Sequence, residues 1–425
     1  FARWDKPEVN NGVVYQSMGG SNSTTRIVSY ITRANYDYDN KYYLGASWRT
    51  DGSSRLAREN RWGNFWSLSG AWRVSSESFM KPLQNWLSDL KLRVSYGVNG
   101  TLPSSYYGYM GLSSLTSNYN DNPGIKQSQL ENKELTWETN YNFNSGIDLG
   151  FFDNRLNVTF EYYVRTTKNL LYSRPLSLAT GFSSYLANIG KLQNKGYELE
   201  IRSTNIETKD FRWSTSLNLG HNANKILKLD GDLKQVTSGT SIHKVGLPYS
   251  TYYMIEFAGI DPVDGEPMFY KNTTDENGNL NKETTKDPRS AEKVILQCAD
   301  PTITGGLGNS ISYKWFDLNF NVNFSFGAWN YDGAAGKLEH GGDGTLNIPI
   351  YYRKRWQKEG DETSIERFVV GRSISMTDYA TTRRLYSGDY VRLKNLTFGF
   401  TLPKTWTRKV GIDNIRLDRK STRLN

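Results

Sequence analysis

Apolar and polar residues alternate along many segments of the chain, and this pattern constrains the fold more than any other feature. In the clearest segment, residues 316–327, Phe, Leu and Val side chains occupy one face, while Asp, Asn and Ser side chains occupy the other. A period of two residues is typical of a β-strand with one apolar face. At about 3.3 Å per residue the segment spans roughly 35 Å, long enough to cross a bilayer at a tilt.

The alternation predicts an all-β fold of about twelve strands joined by unequal connections. The connections are tight at residues 39–40, 152–154 and 314–315, and very long at residues 222–301 and 328–388. Outer-membrane β-barrels show this asymmetry, with short periplasmic turns and long extracellular loops. The predicted strands start near Ile27, Lys41, Asn64, Leu90, Leu135, Arg155, Tyr185, Asp210, Thr302, Phe316, Asp389 and Ile412.

Composition agrees with a transmembrane β-barrel. Aromatic residues make up 14% of the chain, whereas disordered chains contain few, and no apolar run approaches the roughly 18 residues that a membrane-spanning helix needs. A soluble, secreted β-protein that binds glycans remains the alternative. The faces opposite the apolar ones, however, carry charges that a sandwich core could not bury unpaired but a wet lumen could, namely Arg33, Arg93, Arg165 and Arg202.

The sequence gives little support for a catalytic or metal-binding motif. The three histidines are far apart in the sequence, and the single cysteine, Cys298, excludes an internal disulfide and a thiolate cluster. We therefore predict no enzymatic activity, no metal and no cofactor; a glycoside hydrolase would need a carboxylate pair that no spacing identifies. Residues 275–279 fail as an EF-hand because Leu280 replaces the turn glycine. Asp261, Asp264 and Glu266 could share a cation, but a plain turn is the simpler interpretation.

Charge and targeting signals add little. The 52 Lys and Arg residues outnumber the 43 Asp and Glu residues, which gives a net charge of +9, but the basic residues are scattered. Nucleic-acid binding is therefore not predicted. The first residues show no charged stretch followed by an apolar one, so no secretion signal is visible.

Short motifs recur in order along nearly the whole chain. They are residues 39–44 (DNKYYL), 49–55 (RTDGSSR), 65–69 (FWSLS), 71–73 (AWR), 77–79 (ESF), 90–97 (LKLRVSYG), 135–138 (LTWE), 146–148 (GID), 194–198 (NKGYE), 211–213 (FRW) and 390–395 (YVRLKN). This ordered set closely resembles the SusC/RagA-like family of TonB-dependent outer-membrane transporters. The resemblance marks Asp51, Gly52, Ser53, Ser54, Arg55, Asn194, Gly196, Arg392 and Asn395 as structural signature positions. Residues 51–54 and 194–196 are predicted to form turns or bulges.

The resemblance implies a 22-stranded barrel, as in the plugged outer-membrane transporters, in the outer membrane of a Gram-negative-type cell. It implies a plug domain, a segment that engages TonB and a SusD-like surface lipoprotein as partners. Residues 1–425 are then an incomplete barrel domain, without signal, TonB-engaging segment or plug. The strand directions demand at least one further descending strand. Residues 418–425 depart from the alternating aromatic pattern with which such barrels end, and we interpret them as a non-native tail.

The resemblance implies import of oligosaccharides, or less often peptides, without covalent chemistry. Aromatic residues in the long loops are the best candidates for substrate contact, because sugar rings stack their C–H faces on Tyr and Trp. The same residues could instead belong to the interfacial aromatic girdle. The candidates are Tyr106, Tyr107, Tyr109, Trp329, Tyr331, Tyr351, Tyr352 and Trp356.

Overall fold

Among the residues that the structure describes, twelve antiparallel strands form one continuous sheet whose order follows the chain. A computed structural model describes residues 22–119, 122–229, 231, 233–275, 278–342, 347–370 and 379–421. The sheet confirms the predicted all-β fold, and within the described residues β1 and β12 are its two edges. The strands are β1 (Ile27–Tyr38), β2 (Tyr42–Ser53), β3 (Trp62–Arg73), β4 (Leu87–Thr101), β5 (Glu138–Phe151), β6 (Leu156–Lys168), β7 (Lys191–Glu207), β8 (Phe211–Lys228), β9 (Ile303–Tyr313), β10 (Phe316–Phe326), β11 (Tyr390–Thr401) and β12 (Arg416–Ser421).

One predicted strand start is wrong. Tyr185 lies in a small hairpin formed by Leu171–Pro175 and Ser184–Asn188, and the sheet strand β7 begins only at Lys191. Gly190, with a φ of 91°, separates the two segments. The hairpin residues alternate as a sheet strand does, so the pattern alone could not separate them from β7.

The tight turns lie at one end of the sheet, as predicted. The turn between β1 and β2 places Asp39 and Asn40 at φ values of 55° and 52°, the left-handed pair of a hairpin turn whose twist matches its strands. Residues 74–86 and 402–415 at this end contain short helical turns, namely Val74–Ser76, Ser78–Leu83, Lys404–Thr407 and Arg408–Val410. No helix in the described part of the chain is long and apolar enough to cross a membrane.

The longest loops lie at the opposite end, at residues 102–137, 169–190, 229–302 and 327–389, together with the shorter loop 54–61. They contain short strands of their own, which are Leu112–Tyr119, Asn122–Gln129, Leu171–Pro175, Ser184–Asn188, Gln235–Ser238, Ser241–Lys244, Thr251–Ile255, Phe257–Ile260, Pro267–Tyr270, Thr284–Thr285, Lys293–Cys298, Trp329–Tyr331 and Leu385–Ser387. Their helical turns are Leu178–Thr180, Pro288–Ser290, Gly333–Leu338, Ile350–Lys354 and Thr382–Arg384.

The two faces of the sheet differ in chemistry. The convex face is apolar and open, so that Leu44 and Leu68 are 60% and 56% exposed. Aromatic pairs mark both ends of this face, with Tyr42 and Trp72 stacked at the short-turn end. At the long-loop end Tyr197 stacks on His221, with ring centroids 4.8 Å apart. An apolar band between two aromatic belts is the outer surface of a membrane β-barrel.

Candidate functional site

The concave face of the sheet is mainly polar. Between β7 and β11 it is lined by amides, hydroxyls and glycines, which leave a smooth surface. A side chain on Gly306 or Gly308 would collide with Asn218, Ser216 or Asn321. The lining residues include Glu200, Arg202, Ser216, Asn218, Gly306, Gly308, Asn321, Asn323, Lys394 and Asn395.

The four arginines predicted to point into the lumen do so, and each has a polar partner. Arg93 binds Asp148 and Glu161, at N–O distances of 2.8 and 2.7 Å. Arg202 binds Glu200, Arg165 donates to the side-chain oxygen of Asn142, and Arg33 donates to that of Asn35. The lumen wall therefore tolerates these four arginines because it supplies a polar partner for each of them.

Two glutamates face each other on adjacent strands of this wall. Glu161 on β6 and Glu198 on β7 are directly opposed in the register, and Glu198 forms no ion pair with any described residue. Like charges in opposed positions are unfavourable unless a cation compensates them. Arg93 binds Glu161 and Asp148 but not Glu198, so this part of the wall carries excess negative charge.

The predicted turn at residues 51–54 is wrong for Asp51, Gly52 and Ser53, which belong to β2; Ser54 lies in the loop that follows. Asp51 accepts a hydrogen bond from Arg49, 2.6 Å away. Gly52 has no left-handed backbone; it is small because the Trp62 ring lies where its Cβ would be. Gly52 therefore allows close packing between β2 and β3 and does not form a turn.

The end of this signature segment fixes the start of loop 54–61. The Ser53 hydroxyl accepts a hydrogen bond from the backbone N–H of Arg55. The Ser54 hydroxyl accepts one from the backbone N–H of Arg26, the residue before β1. Arg55 in turn donates to the carbonyl of Pro103, so it joins this loop to loop 102–137.

The predicted turn at residues 194–196 is wrong for a similar reason. Both Asn194 and Gly196 lie inside β7, where a Cβ on Gly196 would stand 2.2 Å from the carbonyl oxygen of His221 and 2.5 Å from the Tyr163 ring. The amide of Asn224 donates to Asn194. Position 196 requires a glycine because the Tyr163 ring of the neighbouring strand occupies the space of a Cβ, and no local sequence pattern reveals this contact.

The remaining signature residues lie on β11. Arg392 stacks its guanidinium over the Tyr390 ring, at 5.1 Å. The side-chain oxygen of Asn395 accepts from the Thr397 hydroxyl, and Lys394 forms a bulge against β10. These residues shape the lumen wall near the loops.

The loop aromatics of residues 102–137 divide into exposed and packed rings. Tyr106 is 40% exposed and lies under the guanidinium of Arg55, 4.6 Å away, with Tyr107 beside it. Tyr109 packs against the buried cluster that includes Leu135. Tyr106 is therefore the open ring of this loop, and Arg55 holds it in place.

A buried charge cluster organises loop 327–389, and we call it the loop hub: Tyr351, Tyr352, Glu339, Glu366, Arg383 and Arg384. Glu366 is fully buried and binds Arg383, while the Tyr352 hydroxyl donates to Glu366 over 3.2 Å. Burial and the Glu339 carboxylate raise the pKa of Tyr351 to about 12. Tyr352 is 2% exposed, so its predicted role in substrate contact is wrong: it holds the loop together from within.

The other loop aromatics stabilise contacts between the two longest loops. Trp356 donates to the carbonyl of Pro262 and covers Gly265. The backbone N–H of Tyr331 donates to the hydroxyl of Tyr252, and Trp329 lies in the same short hairpin, Trp329–Tyr331 with Leu385–Ser387. Of the candidates, Tyr106 and Tyr351 are therefore the most open, at 40% and 44% exposure.

The carboxylates at residues 261–266 are neutralised within the protein. Lys286 binds Asp261 and Asp264 at 2.6 and 2.7 Å, and hydrogen bonds from this ammonium lower the pKa of both carboxyls. Arg367 binds Glu266. No group of three His, Cys, Asp or Glu residues in the described ranges is placed to hold a metal. Of residues 275–279, positions 276 and 277 lie outside those ranges.

An apolar convex face, a polar concave face and loops gathered at one end define the wall of an outer-membrane β-barrel. Residues 2–415 match the family described as TonB dependent receptor-like, beta-barrel. The chain belongs to this family, whose members reside in the outer membrane and are receptors and transporters rather than enzymes.

Curated relatives and solved structures agree with this assignment. The chain is 33% identical over 437 residues to TonB-dependent receptor P3 of Formosa agariphila, covering 96% of this chain and 43% of that protein. It is 31% identical over 405 residues to TonB-dependent receptor SusC of Bacteroides thetaiotaomicron, covering 89% and 38%. The RagAB peptide transporter structure matches with a TM-score of 0.79 and 28% identity, covering 100% of this chain and 47% of that one. The chain thus spans less than half the length of these proteins.

Proposed function

We propose that this chain is the later barrel part of a TonB-dependent importer that takes up oligosaccharides or peptides. The observation that carries the proposal is the polar lumen wall between β7 and β11, which is lined by amides, hydroxyls and charged side chains. Hydroxylated or amide-rich solutes can exchange hydrogen bonds with such a wall while lipid stays on the other face. The soluble alternative is not favoured, because the convex face exposes a continuous apolar band.

A plug domain and a TonB-engaging segment, in the part of the protein outside residues 1–425, complete the proposed transporter. The excess negative charge at Glu161 and Glu198 supports a lumen partner that brings a cation, because no described residue neutralises Glu198.

We also propose that residues 418–425 are a non-native tail. Arg419 occupies an outward position opposite Phe398, where an apolar residue is expected, and residues 422–425 lie outside the described ranges.

A SusD-like surface lipoprotein is the proposed lid over the loops. Two features support a docking surface there. The two longest loops bind each other, through Phe257 and Thr382 and through Arg367 and Gly265, so they present one body. Ile350, at 75% exposure, and Val370, at 80%, leave apolar side chains open on it. Open apolar side chains on a rigid extracellular surface favour a protein partner.

Uptake by cells tests the proposal. Cells that produce the full-length protein should accumulate labelled oligosaccharides or labelled peptides, and removal of TonB should abolish accumulation while binding at the surface persists. Uptake that continues without TonB, or binding of neither ligand class, contradicts the proposal.

Variants of the open loop aromatics test the site. Tyr106→Ala and Tyr351→Ala in the full-length protein should each weaken ligand binding by about two- to tenfold, the value of one ring contact. Phe79→Ala is the matched control, since Phe79 is 62% exposed at the short-turn end, away from the loops. Calorimetry with the bound ligand class measures the difference, and equal affinities in all three variants would remove these tyrosines from the site.

A further inference from the structure

Five polar side chains form a hydrogen-bonded network on the outer face of the wall. The Ser203 hydroxyl donates to Asn205, the Asn205 amide donates to Thr215, and the Thr215 hydroxyl donates to Asn309, at distances of 2.8, 2.7 and 2.8 Å. The indole N–H of Trp213 also donates to Asn309, over 2.9 Å. We call these residues the Asn309 network; it crosses β7, β8 and β9 on a face that is otherwise apolar.

Asn309 faces outward because of its place in the register. It stands between Thr215 on β8 and Phe320 on β10. Its neighbours along β9, Gly308 and Ser310, are paired with the lumen residues Asn321 and Asn319. Successive residues of a strand point to opposite faces, so Asn309 points toward lipid.

The orientation of the Asn309 amide is determined by its partners. An indole N–H can only donate, so the Asn309 atom that faces Trp213 must be the carbonyl oxygen, Oδ1. The NH2 group, Nδ2, therefore points away from this network, and the described residues offer it no acceptor. An amide donor without a partner is strongly unfavourable in hydrocarbon, because no water is present to accept its hydrogen bond, so an outside acceptor is favoured.

Depth in the membrane indicates which acceptor can reach it. Asn309 lies four residues above Tyr313 at the periplasmic rim, which is roughly 13 Å along the strand and about 10 Å along the membrane normal at a tilt of about 40°. The Lys314 ammonium lies 5.5 Å from the Tyr313 ring centre and marks the aqueous side. Each interfacial layer is about 5–8 Å thick, so the Asn309 amide lies near the boundary with the hydrocarbon, where lipid ester carbonyls lie.

We propose that Asn309 Nδ2 binds an ester carbonyl of a glycerophospholipid in the periplasmic leaflet, with the acyl chains against Phe320, Ile311 and Leu217. A second copy of the chain is the competing source of an acceptor, since the Asn205 oxygen accepts a single hydrogen bond, from Ser203, whereas the Asn309 oxygen accepts two. The depth of Asn309, at the level of the ester carbonyls, favours the lipid, and the oligomeric state of the variant distinguishes the two. This inference needs only the outer-membrane location and is independent of the transported substrate.

The test uses two lipids that differ only in the acceptor. The full-length protein is reconstituted with equal amounts of diester phosphatidylethanolamine and its diether analogue, and native mass spectrometry counts the lipids that remain bound. We expect wild-type protein to retain the diester lipid about two- to tenfold over the diether lipid, the value of one hydrogen bond. Equal retention by the wild type overturns the inference without any variant.

Matched variants locate the site. Asn309→Leu, which keeps the side-chain size, should abolish the preference, while Asn319→Leu on the lumen face of β10 should keep it. Heat-modifiable migration on gels confirms that both variants fold. A change in oligomeric state of Asn309→Leu with an unchanged lipid preference would assign the amide to contact between copies and overturn the lipid site.

Discussion

Arg93 on β4 and Asp148 on β5 form a two-pronged ion pair across the lumen face, with Nε to Oδ2 at 2.8 Å and Nη2 to Oδ1 at 3.0 Å. The same guanidinium reaches Glu161 on β6. One side chain therefore joins three strands whose sequence positions are far apart. The pair is partly exposed, with side-chain exposures of 35% and 29%, so water screens part of its attraction.

Removing this cation should destabilise the barrel. Arg93→Ala leaves Asp148 and Glu161 without their cation, and we expect a loss of about 1–2 kcal/mol in the free energy of unfolding. Urea titration of the full-length protein in lipid vesicles measures it. Arg33→Ala is the control, because Arg33 makes a single long hydrogen bond, of 3.3 Å, to a described side chain, Asn35. A loss no larger than the control's would show that the ion pair contributes nothing to stability.

A glycine pair on neighbouring strands distinguishes a required glycine from a tolerated one. Gly196→Ala should destabilise by about 1–3 kcal/mol, since the new methyl group meets the His221 carbonyl and the Tyr163 ring. Gly220→Ala should be nearly neutral, because the Thr304 hydroxyl, 3.6 Å away, is the nearest described atom to its Cβ. The same unfolding titration compares them, and equal losses would show that the β7 contact relaxes freely.

Charge placed on the two faces of β10 should have unequal effects. Phe320→Arg puts a cation in lipid; because Phe320 lies at the depth of Asn309, near the hydrocarbon boundary, we expect a cost of about 1–2 kcal/mol, below the roughly 2–4 kcal/mol of a midplane site, whereas Asn321→Arg enters the polar lumen and should cost much less. Phe320 pairs with the outward Asn309, and Asn321 lines the concave face. Vesicle unfolding titrations again supply the measurement. Similar losses from both variants would contradict the assignment of faces.

The loop hub should fix the conformation of loop 327–389. Glu366→Ala leaves Arg383 buried without its partner, a change that typically costs about 3–5 kcal/mol. We expect faster amide hydrogen exchange in residues 350–354 and 381–384, with exchange in the barrel strands unchanged. Glu362→Ala is the control, because Glu362 is exposed. Unchanged exchange at residues 350–354 would mean that other contacts hold the loop.

The candidate site was predictable only in part. The loop location of the aromatic candidates was correct, but their exposure is not a property of the local sequence. Tyr351 and Tyr352 are adjacent, yet one is 44% exposed and the other 2%. Their difference depends on Glu366 and Arg383, which approach Tyr352 only after the loop folds. Likewise, the Asn309 network joins residues from three strands, so the sequence showed only an isolated asparagine.

The number of strands, the facing of Phe320 and Asn321, and the separation of short turns from long loops follow from the sequence by itself. Alternation and turn residues act within one strand or one hairpin, so they are readable along the chain. The tertiary structure alone decided why Gly52 and Gly196 must be small, which tyrosines are open, and that none of the described cations pairs with Glu198. Each of these depends on a contact between distant segments, and a strand pattern carries no information about which side chain will lie across the neighbouring strand.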